Sequence, residues 1–291
     1  MYLTGFADEA AADIDGQIRA TEELGWNFIE ARNIDGKNIH DIPDADFETV
    51  CKKLDQAGIR INCFGSAIAN HSKSILEPFD SSLEEARRAV SRMKRLGTRL
   101  IRIMSFSILK DSPPEREEEE RFRRLRILVE MFRDQGLTCV HENCMNYGGM
   151  GWRYTLRLLE NVPELKLVFD TGNPVFTPDY EKPPPRPFQN SWAFYSHVRE
   201  HIEYVHIKDG YRDSKNQREV YTFPGQGEAE VERIVRDLLE RGYDGGFSIE
   251  PHMAVVFHDD SVKSDGEARF RNYIEYGRLM ERLISQVKQT G

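Results

Sequence analysis

Four residues able to ligate a metal or move a proton stand at the ends of short apolar runs: Glu142 in TCVHE, Asp170 in LVFD, His206 in YVHI and Glu250 in FSIE. Side chains alternate along a strand, so Val140 shares a face with Glu142, Val168 with Asp170, His206 with Lys208, and Glu250 with His252. If those faces converge, three carboxylates and an imidazole meet. Several carboxylates cannot stay ionised together in a confined site without a counter-charge. A divalent cation supplies it. One imidazole among carboxylates favours a hard or borderline ion, Mn²⁺ first, with Mg²⁺, Co²⁺ or Zn²⁺ as alternatives. Such an ion, chelating a carbonyl oxygen and the neighbouring hydroxyl, stabilises an enediolate. A carboxylate then serves as the general base that takes the α-proton. Return of the proton from the opposite face epimerises the centre. Its delivery to the adjacent carbon interconverts aldose and ketose, and departure of a β-substituent gives elimination. Glu142 and Glu250 are the candidate base and acid.

Other polar residues near these positions have two readings each. Lys208 binds a substrate oxygen or pairs with Asp170 or Glu142. His252 serves a leaving group or faces solvent. Glu30 and Arg32 share a face and either hydrogen-bond substrate or form a structural ion pair. His71 in GSAIANHSKS reaches the site or is a plain loop residue, and Trp152 and Trp192 pack helices.

These residues need elements to hold them. Apolar runs at Leu3–Ala7, Phe28–Ala31, Ile61–Gly65, Leu100–Met104, Thr138–Glu142, Leu167–Asp170, Tyr204–Ile207 and Phe247–Glu250 read as strands. Between them lie amphipathic stretches that stop at Gly25, Gly58, Gly97 and Gly136, followed by others over about 152–160, 191–200, 231–241 and 267–287. Ser82 with Glu85 reads as the capping box of the third helix. Glu117–Glu120 reads as a solvated helix face, with Glu117–Arg121, Glu119–Arg123 and Glu120–Arg124 at four-residue spacing. Strict alternation implies a parallel sheet covered by helices, and eight units over 291 residues suit an α/β fold of the (β/α)₈ TIM-barrel type in one domain, residues 1–291. No Gly-x-Gly-x-x-Gly follows the first strand, which counts against a dinucleotide-binding open sheet. Barrel chemistry gathers at the C-terminal ends of the strands, where the four residues stand. The loops Pro178–Phe188, Tyr211–Gly227 and Met253–Gly266 are long enough for a lid or subunit contact, and the apolar run Ala254–Phe257 favours a covered surface.

Composition removes other classes. Lys+Arg 40 against Asp+Glu 49 gives a net charge of −9, opposite to a general nucleic-acid binder. No run of about 18 apolar residues is present, so no membrane span is expected. The first residues, MYLTGFADEA, carry acids where a signal peptide needs a basic and then an apolar region. Four cysteines without a CxxC pair suit a reduced, cytoplasmic protein.

The stretches VHENC, LVFDTGN, YVHIKDGYR and FPGQGEAEVERIVRDLLERGYDGGFSIEPH resemble the xylose isomerase-like barrel superfamily, which contains sugar isomerases and epimerases, inosose dehydratase and endonuclease IV. The resemblance covers essentially the whole chain. It implies metal ligation by Glu142, Asp170, His206 and Glu250, with Glu142 and Glu250 flanking the substrate and exchanging its proton. It also implies a substrate contact from Arg212, six residues after His206, and places Asn173 where the ketose epimerases have a histidine. The histidine-rich zinc site of endonuclease IV is not matched. The resemblance therefore points to a metal-dependent isomerase or epimerase of a sugar or polyol, with a homo-oligomer as a possible assembly. The alternatives are a lyase or dehydratase acting on a keto-sugar, keto-glycoside or inosose, and a non-catalytic sugar-binding barrel.

Overall fold

In the computed structural model, which describes residues 1–109, 113–256 and 265–290, each expected apolar run forms a strand. They are β1 (Tyr2–Gly5), β2 (Phe28–Ala31), β3 (Arg60–Gly65), β4 (Leu100–Ile103), β5 (Thr138–Glu142), β6 (Lys166–Asp170), β7 (Ile202–Ile207) and β8 (Gly246–Ile249). All pair in parallel, in the order β1-β8-β7-β6-β5-β4-β3-β2. A parallel bridge from Phe6 to Glu30 brings the two edges together and closes the barrel.

Eight main helices surround it: α1 (Ile14–Leu24), α2 (Asp44–Ala57), α3 (Asp80–Leu96), α4 (Glu118–Arg133), α5 (Trp152–Asn161), α6 (Ser191–Val198), α7 (Val231–Glu240) and α8 (Gly266–Thr290). Asp13 caps α1 by accepting from the Gly16 amide, and Gly25 ends it at φ 72°, a left-handed conformation that costs glycine little. Apolar side chains on the outer strand faces, such as Ile101, Phe169, Val205 and Phe247, pack against the helices in one continuous core.

The lumen is built differently. Cys63, Val140, Val168 and Tyr204 form a separate apolar plug. Two residues further along three of those strands stand Glu142, Asp170 and His206, so alternation carries them inward above the plug.

Some expectations change. Ser82 does not cap α3: the helix begins at Asp80 after Phe79, and Ser82 is buried inside its first turn. The acidic run is only partly solvated. Glu120 pairs with Arg123 and Arg124 as on an open face, but Glu118 is buried against Tyr147 and Arg157. Arg121 is buried as well and donates to the Ser105 carbonyl. The loop after β7 contains an antiparallel hairpin, Asp209–Asp213 with Arg218–Thr222. Of the apolar run near the end, Ala254 and Val256 are buried, whereas Phe257 and most of the loop that follows lie outside the described residues. Trp152 on α5 stacks on His197 of α6, and Trp192 packs on Tyr195 of its own helix and under Arg233 of α7.

Candidate metal centre

Glu142, Asp170, His206 and Glu250 come together. Each offers a ligand atom, and those atoms all lie within 4.8 Å of one another. Their exposures are between 0% and 3%, so water screens none of them effectively.

His206 shows how the imidazole is set. Its Nε2 lies 3.1 Å from Glu30 Oε1, while Nδ1 makes no hydrogen bond and faces Glu142 Oε1 at 3.6 Å. A metal-ligating histidine usually donates its second ring N–H to a carboxylate, which fixes the tautomer and leaves the other nitrogen to bind. Asp170 repeats the pattern. Its Oδ1 accepts from the Gly172 and Asn173 amides at 2.9 and 2.6 Å, and its Oδ2 takes no hydrogen bond. His206 Nδ1 and Asp170 Oδ2 thus face the same centre outside hydrogen-bond geometry, Oδ2 at ion-pair distance from Lys208, and the donor set of three carboxylates and one imidazole suits a divalent ion.

Cations already present balance part of the charge. Lys208 Nζ lies 2.8 Å from Glu250 Oε2 and 3.0 Å from Asp170 Oδ2. Arg102 donates to Glu142 Oε2 at 2.8 Å, and Arg32 donates to Glu250 Oε1 at 2.7 Å. Arg32 also clasps Asp8 and Glu9. Burial alone would raise the pKa of every carboxyl here. Against it, Arg102 and His206 hold Glu142 well below the usual carboxylate range, and Lys208, His252 and Arg32 do the same for Glu250. Asp170 is raised, because burial and its acidic neighbours outweigh Lys208. Burial would lower His206, but the Glu30 charge and the contacts with Glu142 and Glu30 prevail and raise it to about 10. The protein without metal therefore stores a proton on the imidazole where a cation would otherwise balance the carboxylates.

A cavity of about 290 Å³ opens above this cluster. Its lining includes the charged groups Glu142, Glu250, Lys208 and Arg102 together with Met104, Cys144 and Met145. A larger groove of about 700 Å³ between the starts of α1 and α8 contains none of the clustered ligands.

The sequence from residue 18 to residue 274 matches the family model described as xylose isomerase-like TIM barrel. The chain belongs to that family. Solved structures agree in fold. A xylose isomerase-like TIM barrel protein from Mycobacterium smegmatis in complex with magnesium is 16% identical, with 98% of this chain and 97% of that one covered and a TM-score of 0.70. A D-tagatose 3-epimerase-like protein is 15% identical over 100% and 99% of the two chains, with a TM-score of 0.72. The probable 3-DHS dehydratase AsbF from Bacillus anthracis is 16% identical over 96% and 98%, with a TM-score of 0.68. No curated protein sequence gives a significant match.

Within this xylose isomerase-like barrel, Lys208, Asn173 and His252 line the cavity, and His71 stands at its exposed rim. Asn173 Nδ2 donates to Glu142 Oε1 at 3.0 Å. Lys208 pairs with Asp170, one of the two partners its ion-pair reading named, and with Glu250 where that reading named Glu142.

Two of the expected substrate contacts stand outside the cavity lining. Glu30 does not line the cavity: it is 0% exposed, pairs beside Cys63 at the level of the plug, and binds Tyr204 and His206. Arg212 is not in the cavity lining either, because the hairpin carries its guanidinium over the Phe188 ring, 4.2 Å from the centroid. Sequence reasoning missed Arg102, Asp8 and Glu9. Arg102 carried a usable signal, a charged residue inside the apolar strand LIRI. Asp8 and Glu9 sit in a 3₁₀ turn after β1, where no periodicity marks them.

Proposed function

We propose that this chain is a divalent-metal-dependent isomerase or epimerase of a sugar or polyol with a hydroxyl next to its carbonyl. The orientation of His206, held at Nε2 by Glu30 with Nδ1 turned to the carboxylates, carries the reading. When bound, the ion polarises the substrate carbonyl and stabilises the negative charge that develops on its oxygen. Glu142, Asp170, His206 and Glu250 would hold it.

The chain's own groups supply the rest. Glu142 on β5 and Glu250 beyond β8 enter from strands separated by β6 and β7 and so flank a substrate between them. Both are ionised at neutral pH; one takes the α-proton from its own face, and the other, after taking up a proton from water, delivers it to the opposite face, while the first loses its proton to solvent. Asn173 fixes Glu142, while Arg32 and Lys208 fix Glu250, which limits the loss of orientation during transfer. The test is incubation of ketoses, inososes and 3-keto-glycosides with Mn²⁺ in D₂O, followed by NMR. Deuterium should enter next to the carbonyl and should not do so in Glu142→Gln or Glu250→Gln. Equal incorporation in those variants would remove the glutamates from the mechanism.

A second reading, elimination by a dehydratase or other lyase, rests on His252. Its Nδ1 lies 2.8 Å from Glu9 Oε1 and its amide donates to Glu9 Oε2 at 2.7 Å. Its Nε2 lies 3.8 Å from Glu250 Oε1 in the cavity wall. An imidazole oriented by a carboxylate can protonate a departing hydroxyl. Accumulation of an unsaturated product, without an interconverted sugar, would select this reading.

A further inference from the structure

We propose a second divalent-cation site, separate from the barrel mouth, formed by His40, Asp41 and Glu85. His40 and Asp41 lie between the short hairpin Asn33–Asn38 and α2, and Glu85 projects from α3. One ligand atom from each residue lies within 4.8 Å of the other two.

His40 supplies the observation that points to a ligand. It is 0% exposed, and neither ring nitrogen makes a hydrogen bond. Its Nε2 is 3.3 Å from Asp41 Oδ2, an ion-pair distance, while its Nδ1 has no polar partner. Leaving a buried imidazole unsatisfied is costly, and a coordinate bond at one ring nitrogen removes that cost.

The surroundings are ordered for binding. Arg88 on α3 donates to the His40 carbonyl at 3.3 Å and to Asp41 Oδ1 at 2.5 Å, leaving Oδ2 on the imidazole side. Arg92 holds the Ile39 carbonyl at 2.7 Å, so helix and loop are fastened on both sides of the site. Lys73 holds Glu85 Oε2. These two carboxylates orient like ligands with outer-shell partners, but Arg88 and Lys73 also neutralise them. A hard ion that relies on negative charge gains little here. An ion whose affinity comes from the imidazole nitrogen, such as Zn²⁺, Co²⁺ or Ni²⁺, is the class that fits. Asp41 is 41% exposed at its side chain, which leaves room for water to complete the coordination. Two residues before His40, Asn38 lines the barrel cavity and donates to the Gly65 carbonyl, so an ion here would brace the cavity wall.

The test is metal content and optical spectra of the full chain equilibrated with Co²⁺. A His206→Ala/Asp170→Asn variant, disabled at the barrel mouth, should retain about one Co²⁺ per chain, in the range expected for a three-ligand site. Adding His40→Ala should remove that ion and its visible absorption. Adding Glu85→Gln instead should weaken it, with circular dichroism checking the fold of each variant. The proposal is overturned if the mouth-disabled variant binds no Co²⁺, or keeps it after both His40 and Glu85 are replaced. Failure of the barrel-mouth reading looks different: the mouth substitutions would change nothing, and His40→Ala alone would remove all bound metal.

Discussion

The later half of the barrel and the earlier half contribute to the same mouth in different ways. Strands β5 to β8 deliver Glu142, Asp170, His206 and Glu250 at or just beyond their ends, with the ligand atoms already gathered. Strands β1 to β4 and their loops deliver Arg102, Arg32, Glu30, Asp8 and Glu9, each acting on one of those residues or on its neighbour. The later half presents the donors, with Lys208 and Asn173 beside them, and the earlier half supplies the other groups that set their charge and orientation. If that division is right, substitutions in the first group abolish binding and chemistry, and those in the second grade them.

The largest effect belongs to the ligand half. Glu142→Gln or Glu250→Gln should lower the rate of deuterium exchange by about 10²–10⁴-fold, the usual contribution of a positioned acid or base. A rate within threefold of the parent would erase the distinction between the halves. Arg102 should come next. It is buried with Glu142, and removing one member of a buried pair costs about 3–5 kcal/mol. Urea unfolding of Arg102→Met in the absence of metal should show that loss, and added Mn²⁺ should restore part of it by replacing the missing positive charge. A variant as stable as the parent without metal would mean that Glu142 does not depend on Arg102.

Glu30→Gln sharpens the comparison most, because Glu30 touches the imidazole and not the cavity. Loss of an outer-shell carboxylate typically weakens metal binding by about 10–100-fold. Competition with a chelator should show that weakening with His206 still in place. An unchanged affinity would reduce Glu30 to a structural residue.

The division also explains what the sequence made legible. An acid or histidine closing an apolar run is visible, because strand periodicity says which way it points; the plug beneath Glu142, Asp170 and His206 obeys that rule. Glu30 followed the same alternation, yet its height in the barrel depends on the stagger of β2 against β3, where the register shifts between Ile29 and Glu30. That shift has no sequence signature. Arg212 stands away from the cavity lining for a different reason. Spacing from His206 located it along the chain, but a hairpin turned it toward Phe188, and no local pattern specifies that direction. Ser82 carried a capping signal, but α3 had already begun at Asp80.

A last prediction concerns pH and separates the protein without metal from the loaded one. His206 titrates near 10 when folded, above its ordinary value of 6.5. A raised imidazole contributes stability that is complete below about 6.5 and is lost as pH rises through about 10. Glu142 and Glu250 act oppositely: their depressed values give stability present above the usual glutamate range and lost as pH falls below it. Asp170, raised to about 7, also loses stability as pH climbs through that value, so the metal-free chain should become steadily less stable from about pH 6.5 toward pH 10. Metal binding has to displace the imidazole proton, so affinity should climb over the same alkaline interval and offset the decline. Thermal unfolding at pH 6 and pH 9, with chelator and with Mn²⁺, gives four melting temperatures. The fall from pH 6 to pH 9 should be larger with chelator, and His206→Gln should flatten it. An equal fall in the parent under both conditions would mean that the proton and the metal do not compete for His206.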